Sequence, residues 1–248
     1  FPVSSFLIPV FDSFSTETLY YMERSFWWLH IIGILFFLNY LYYSKHLHIL
    51  LAFPNTYYAN LEEKGKFGIL ESVKNEVLLM FYPEKVQEEN NAQVEKFGAS
   101  DVLDLNWIQL MNAYSCTECG RCTSECPANL TGKKLSPRKI MMDTRDRLEQ
   151  VSKNISKNNG VFKDDGNQLL DNFISREELW ACTSCNACVD ACPIDIDPLS
   201  IIMRMRQYLI MEESSAHSDL NNMMNNIENN GAPWPFNQQD RELWIQEP

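Results

Sequence analysis

Two stretches of this chain carry the same cysteine spacing: CTECGRCTSECP at 116–127 and CTSCNACVDACP at 182–193. Together they contain all eight cysteines of the chain. Two short intervals in each run let one turning segment present three thiols, and a proline after the fourth cysteine redirects the chain. This spacing is typical of the thiolate ligands of two iron–sulfur clusters.

A cubane cluster needs four thiolates, so each run must be completed from elsewhere. In two-cluster ferredoxins the last cysteine of each run binds the other cluster. Carried onto this chain, that rule predicts two crossed ligand sets. The first 4Fe-4S cluster would be held by Cys116, Cys119, Cys122 and Cys192. The second 4Fe-4S cluster would be held by Cys182, Cys185, Cys188 and Cys126. Backbone N–H groups at Gly120, Ser124 and Ser184 are expected to donate to cluster sulfurs.

Zinc and disulfides are the alternatives for these cysteines. A structural zinc site is usually built from two separated cysteine pairs, whereas each run here strings four thiols together. Every cysteine is used by the cluster pattern, and such crowded thiols point to metal rather than to bridges. No cysteine is left over for a role as catalytic nucleophile.

Composition narrows the functional classes. The chain has 248 residues, 45% of them hydrophobic, and a net charge of −12, and it shows no basic stripe, so nucleic acid is not expected as a partner. With nine glycines it contains neither a dinucleotide-binding turn nor a P-loop. No Ser/His/Asp or free Cys/His set can be assembled. We therefore expect no complete catalytic site in this chain and leave open whether it counts as an enzyme.

An apolar run begins at Phe26 and continues for eighteen residues without a formal charge. As a helix it would span about 27 Å, close to the thickness of a bilayer core. Aromatic residues lie at both ends, and Lys45 follows. We predict a transmembrane helix over 26–53, after an extramembrane segment at 1–25. A buried core helix is the alternative.

Two histidines fall in this predicted helix, where an imidazole is costly and usually functional. His30 and His48 are eighteen residues apart, so on a continuous helix ending before Pro54 they would project from one face, whereas His46 would point away. Each could supply one axial ligand to a haem b. An interfacial role is the alternative for His48.

The segment from Trp27-Trp28-Leu29-His30 to His46-Leu47-His48 resembles the last haem-bearing helix of the respiratory nitrate reductase gamma subunit and of membrane subunits related to heterodisulfide reductase. The resemblance implies that His30 and His48 are haem ligands and that other helices supply the second ligands. Outside this helix the remaining histidine is His217. The sequence starts at Phe1, and we expect it to be the C-terminal part of a longer protein, whose missing part or another subunit brings further transmembrane helices.

The rest of the chain is read as a connector at 54–101, a cluster domain at 102–210 and a C-terminal docking tail at 211–248. The connector contains a predicted helix over 69–80 and an acidic, amide-rich stretch over 84–95. Helix starts are predicted at Ser136-Pro137, through Leu148, at Ser175-x-x-Glu178 and at Asp197-Pro198. The spacer and the missing β alternation resemble the α-helical ferredoxin domain of the heterodisulfide reductase small subunit, anaerobic glycerol-3-phosphate dehydrogenase and succinate dehydrogenase. The predicted fold class is mainly α: a transmembrane helix followed by an α-helical ferredoxin domain with two 4Fe-4S clusters.

Methionines at 141–142 and 203–211 are predicted to pack in the core, with partner docking as the alternative. In the tail, an amide-rich run expected to be flexible precedes Trp234, Phe236 and Trp244, which are predicted docking anchors. A tail that wraps its own domain is the alternative. A similar Gly-x-Pro-Trp segment precedes the cysteine-rich catalytic domain of related oxidoreductases. This resemblance implies a separate catalytic subunit with Cys-Cys-Gly repeats, or another soluble redox subunit, as partner.

These features predict a membrane-anchored electron-transfer subunit of a respiratory oxidoreductase complex. It would pass electrons between a membrane haem b or quinone site and a soluble catalytic subunit. A membrane-tethered iron–sulfur redox sensor is the alternative, and an iron–sulfur subunit that the helix merely anchors is a third hypothesis. Basic residues after the apolar run, among them Lys64 and Lys66, and the reducing conditions that thiols need predict a cytoplasmic membrane location with the clusters facing the cytoplasm.

Overall fold

A computed structural model describes residues 2–44, 46–63, 65–66, 68–82 and 96–245. This part of the chain is helical, and its extended pairing is limited to one bridge between Leu170 and Ile174. The mainly α prediction is therefore confirmed. The helices are α1 Pro2–Phe11, α2 Thr16–Leu41, α3 Leu47–Tyr57, α4 Glu71–Phe81, α5 Trp107–Ser115, α6 Arg121–Ser124, α7 Pro127–Leu130, α8 Pro137–Lys157, α9 Leu169–Asn172, α10 Arg176–Ala181, α11 Ala187–Asp190, α12 Pro198–Met211 and α13 Ser218–Asn230. Val102–Asp104 and Gln238–Ile245 form 3₁₀ helices.

The chain divides into two compact units, Phe1–Pro54 and Asn55–Pro248. Helix α2 is the main element of the first unit and has 26 residues, none of them buried. Ser15 caps it, since the Ser15 hydroxyl accepts a hydrogen bond from the Thr18 N–H at 3.3 Å. At about 1.5 Å per residue the helix is about 39 Å long. By length and composition it is able to cross a membrane.

The single helix predicted over 26–53 is not what the structure contains. Helix α2 starts at Thr16 rather than Phe26, because Ser15 supplies the cap, and it ends at Leu41. The side chain of Ser44 then replaces the helical ladder: its hydroxyl donates to the Leu41 carbonyl at 3.0 Å and accepts from the His46 N–H at 3.2 Å. A new helix, α3, begins at Leu47 and contains Pro54 in its interior.

This break changes the placement of the histidines. His30 lies on α2 and His48 on α3, so the two residues do not share a face of one straight helix. The prediction that His46 points away from His48 is also wrong, because their ring centroids are 6.5 Å apart. Lys45 and Lys64 lie outside the described residues.

In the second unit, the connector helix predicted over 69–80 is confirmed as α4, Glu71–Phe81. The acidic stretch over 84–95 lies outside the described residues. The amide-rich run of the tail, expected to be flexible, forms helix α13 instead and ends at Gly231, whose φ of 65° closes the helix. The aromatic residues that follow are exposed as predicted: Trp234 is 48%, Phe236 64% and Trp244 74% exposed.

The predicted helix starts around the cysteine runs are confirmed. Ser136 accepts the Lys139 N–H and opens α8, which continues past Leu148 to Lys157. Ser175 and Glu178 form a reciprocal capping box at α10. Asp197 accepts the Ser200 N–H at 2.9 Å and opens α12. A further capping box, between Asn106 and Gln109, opens α5 just before the first run.

The apolar core of the second unit lies between α8 and α12, which contact each other. Its fully buried side chains include Ile140 from α8 and Ile201, Ile202 and Leu209 from α12. Met141 and Met205 are also fully buried, which confirms a core role for these two methionines. Met211 is 43% exposed, so the core prediction is wrong for this residue at the end of α12.

Candidate metal centre

The two cysteine runs have the same local backbone. In each run the first cysteine follows directly on a helix, Cys116 after α5 and Cys182 after α10. Two left-handed residues follow at matching positions: Glu118 and Gly120 have φ of 59° and 84°, and Ser184 and Asn186 have φ of 56° and 60°. A one-turn helix, α6 or α11, then carries the third cysteine.

Left-handed residues in these loops turn backbone N–H groups inward. The Ser184 N–H donates to the Cys182 sulfur at 3.4 Å, and the backbone of Glu118 makes the corresponding hydrogen bond to Cys116. Successive N–H groups in such a turn form a concavity suited to an anionic group. Glycine at 120 and asparagine at 186 tolerate the left-handed conformation well, which explains these residue types at the matching positions.

Contact between α6 and α11 brings the two runs together. Burial raises the pKa of the Cys116 and Cys122 thiols, and the charge of Cys192 raises both further. Burial likewise raises the pKa of Cys182, and the charge of Cys126 adds to it. The last cysteine of each run therefore lies near cysteines of the other run, and crossed ligation requires this arrangement.

The thiols are also unequally buried. Cys126 is 6% exposed, whereas Cys119 and Cys185, the second cysteines of the two runs, are exposed. Burial raises the pKa of Cys188 to about 12. A buried thiol of this kind is protonated at neutral pH, so metal binding must displace its proton. Each site is therefore closed at its first and third cysteines and opens to solvent at its second.

The donor set fits iron–sulfur clusters better than a single ion. Among the described residues, no three His, Cys, Asp or Glu side chains converge closely enough to hold one metal ion. The four thiolates of a cubane each bind a different iron and lie farther apart than ligands of one ion. Eight thiols in two interlocked sets, each beside inward-turned N–H groups, match that requirement.

Two arginines beside the runs were not found by sequence reasoning. Arg145 on α8 donates to the Glu118 carboxylate at 2.7 Å. Arg206 on α12 donates to the Leu179 carbonyl at 2.6 Å and also to the Cys182 carbonyl. Each arginine stands nine residues after the N-cap of its helix, Ser136 or Asp197, and this shared register was the signal available in the sequence.

Comparison with known proteins agrees with this geometry. Residues 115–196 match the 4Fe-4S dicluster domain. The matched range contains both cysteine runs in full. The second unit therefore carries a 4Fe-4S dicluster domain, although the match leaves open which cysteines share a cluster.

Curated relatives extend over more of the chain. The "Probable iron-sulfur-binding oxidoreductase FadF" of Bacillus subtilis is 31% identical over 89% of this chain and 33% of its own length. The "EtfAB:quinone oxidoreductase" of Syntrophomonas wolfei is 26% identical over 96% of this chain and 33% of its own length. A "Probable membrane-anchored ferredoxin" of Chromohalobacter salexigens is 28% identical over 59% of this chain and 24% of its own length.

The expected relation to heterodisulfide reductase is also confirmed, since subunits D and C of that enzyme from Methanosarcina match 61% and 46% of this chain. This chain is thus related to iron–sulfur oxidoreductases and their subunits. It spans about a third of the length of FadF and of the EtfAB:quinone oxidoreductase. A fused haem b domain is not among these findings.

Proposed function

We propose that this chain is a membrane-anchored electron-transfer subunit of a respiratory oxidoreductase complex. Two 4Fe-4S clusters would pass electrons between a quinone or haem b site in the membrane and a soluble catalytic subunit. One observation carries the proposal: the fold interlocks two cysteine runs, with Cys192 beside Cys116 and Cys122, and Cys126 beside Cys182.

The proposed ligands are the crossed sets. Cys116, Cys119, Cys122 and Cys192 hold one cluster, and Cys182, Cys185, Cys188 and Cys126 hold the other. Once bound, the clusters supply one-electron redox chemistry. The protein gives up thiol protons, donates backbone N–H bonds to the ligand sulfurs and keeps water from the buried side of each site. Because Cys119 and Cys185 are exposed, electrons enter and leave at that side.

Membrane attachment is proposed through α2. Its 26 residues are long and apolar enough to cross a bilayer, and Trp27 and Trp28 lie within it as interfacial aromatics. The name of one relative, a membrane-anchored ferredoxin, is consistent with such an anchor. We place the dicluster domain on the cytoplasmic side, where reducing conditions keep its thiols available.

Haem b at His30 and His48 is the finer part of the proposal. His30 lies on α2 in an exposed position, available to a haem that further helices would enclose. His48, now on α3, would serve a second haem or lie at the membrane interface. A dithionite-reduced minus oxidised optical spectrum of the membrane-bound protein tests this point. A b-type band that His30→Ala removes supports ligation, and an unchanged band excludes His30.

Partners are proposed from the relatives and the tail. The name EtfAB:quinone oxidoreductase suggests a quinone as the membrane redox partner of this chain as well. The exposed aromatics of the tail, Trp234, Phe236 and Trp244, are suited to dock a soluble subunit with Cys-Cys-Gly repeats or another redox protein.

Reduction by quinol tests the proposed role. The chain, with the membrane subunits that co-purify with it, is placed in lipid vesicles without oxygen, and a reduced quinol is added. We expect cluster signals to appear in the electron paramagnetic resonance (EPR) spectrum. A variant with Cys185→Ser serves as control and should lose the signal of one cluster. Clusters that dithionite reduces but that exchange no electrons with quinol, in either direction, would contradict the proposed role.

A further inference from the structure

Two arginines occupy matching places in the two halves of the dicluster domain. Arg145 on α8 and Arg206 on α12 both stand nine residues after the N-cap of their helix. Each senses the charge of the first cysteine of its own run, Arg145 that of Cys116 and Arg206 that of Cys182. The fold therefore brings one guanidinium to each proposed cluster.

The two guanidinium groups differ in their partners. Arg145 has a carboxylate at 2.7 Å, from Glu118, and a second at 3.7 Å, from Asp146. Glu118 belongs to the cysteine loop itself, so the positive charge is neutralised beside the site. An ion pair of this kind contributes little net charge to its surroundings.

Arg206 has neutral acceptors instead. Its Nε donates to the Leu179 carbonyl at 3.0 Å, its Nη1 to the Ser184 hydroxyl at 3.3 Å and its Nη2 to the Cys182 carbonyl. Its guanidinium carbon also lies 5.1 Å from the centre of the Trp180 ring. Across the described ranges of the chain, no carboxylate lies within ion-pair distance of Arg206. Ser184 occupies the loop position that Glu118 occupies in the first run.

One negative group also faces the second run. The carboxylate of Asp197 acts on Cys188. Asp197 caps α12, however, and accepts the Ser200 N–H at 2.9 Å, so the positive end of the helix dipole offsets its charge. Arg206 has no comparable offset among its hydrogen-bond partners and remains the uncompensated charge next to Cys182.

We propose that Arg206 is a tuning residue that raises the reduction potential of the cluster beside Cys182, Cys185 and Cys188 above that of the other cluster. Reduction adds one negative charge, and a desolvated cation nearby stabilises the reduced form. The cluster of the second run is then reduced first, and Glu118 holds the first cluster at the lower potential. This inference rests on the proposed function, since it requires both clusters.

The test exchanges the two loop residues and measures each cluster by EPR during a mediated redox titration of the whole chain in detergent. Cys119→Ser and Cys185→Ser assign the two signals. Ser184→Glu gives Arg206 the carboxylate partner that Arg145 has, at a position where the backbone already matches that of Glu118. We expect at least a tenfold fall in the ratio of reduced to oxidised second cluster at a fixed potential, or about 59 mV for one electron.

The reciprocal variant Glu118→Ser frees Arg145 and should raise the potential of the first cluster. Arg206→Gln should lower the second potential as Ser184→Glu does, whereas Arg206→Lys keeps the charge and should retain it. If Ser184→Glu leaves the second potential unchanged while both clusters are assembled, or if Arg206→Lys shifts it as far as Arg206→Gln, the inference is wrong. A wild-type chain that assembles no clusters would instead overturn the proposed function.

Discussion

At the scale of single residues, the position of the fourth cysteine in each run distinguishes crossed ligation from two independent sites. Cys126 and Cys192 each end their run next to a proline, and each lies near thiols of the opposite run. A ligand exchange between runs makes each cluster depend on both halves of the domain. Neither half could hold its own cluster alone.

Serine substitutions test the crossing directly. We expect Cys122→Ser and Cys192→Ser to impair the same cluster, because both are assigned to the first set. Cys188→Ser and Cys126→Ser should impair the other. EPR spectra of the four reduced variants report which signal is lost. If Cys122→Ser and Cys192→Ser abolish different signals, each run binds its own cluster and the crossed assignment is wrong.

Several of these residues were predictable because their role is local. A cysteine spacing, a capping serine and a left-handed glycine all act within a few positions along the chain. Arg145 and Arg206 were missed, because their partners are carbonyls and side chains that only the folded chain brings near. Arg206, for example, binds the carbonyl of Leu179, which lies far from it in sequence.

At the scale of secondary structure elements, α12 makes the closest backbone approach recorded for a glycine in the described chain. A Cβ added at Gly98 would lie 2.4 Å from both the Arg204 carbonyl oxygen and the Tyr208 nitrogen. The neighbouring Ala99 N–H donates to the same Arg204 carbonyl at 3.0 Å. Only glycine lets the segment before the first run lie this close to α12.

Gly98→Ala is therefore expected to lower the free energy of unfolding by about 3 kcal/mol, since the backbone must shift as well as strain. Gly160→Ala is the matched control: φ is 89° at Gly160 and 90° at Gly98, but no atom lies within 4 Å of the added Cβ at Gly160. That control should cost only about 1–2 kcal/mol, the penalty of the left-handed conformation. Urea unfolding followed by circular dichroism measures both. Equal costs would show that the approach to α12 is not restrictive.

The elements also show where pattern reading fails. The helix starts at Ser136, Ser175 and Asp197 were readable because each cap acts on amides three residues later. The break between α2 and α3 was missed, because apolar periodicity continues through it and only the hydrogen bonds of Ser44 reveal it. Hydropathy describes the solvent of a helix better than its ends.

At the scale of the whole molecule, Arg147 joins the segments on either side of the first cysteine run. Its side chain is fully buried and forms ion pairs with Asp101 and Asp165, each at 2.7 Å. Asp101 precedes the run, and Asp165 lies in the spacer before the second run. The hydrogen bond from Arg147 lowers the pKa of Asp165, which keeps this partner ionised.

Arg147→Met is expected to lower the free energy of unfolding by about 3–5 kcal/mol, because it leaves Asp101 without its buried partner. Arg176→Met is the matched control, since Arg176 is 39% exposed and pairs with Asp171 at 2.8 Å on the surface. That control should cost less than about 1 kcal/mol. Chemical unfolding of both variants under the same conditions measures the difference. An Arg147→Met protein as stable as the control would exclude a joining role for this arginine.

The central claim is that the folded chain holds two 4Fe-4S clusters for electron transfer, and metal analysis with EPR tests it most directly. The full chain is purified without oxygen, assayed for iron, sulfide and zinc, and reduced with dithionite. The account predicts about eight iron and eight sulfide per chain and about two unpaired spins on full reduction. One or two zinc ions per chain, without iron and without an EPR signal, would contradict it.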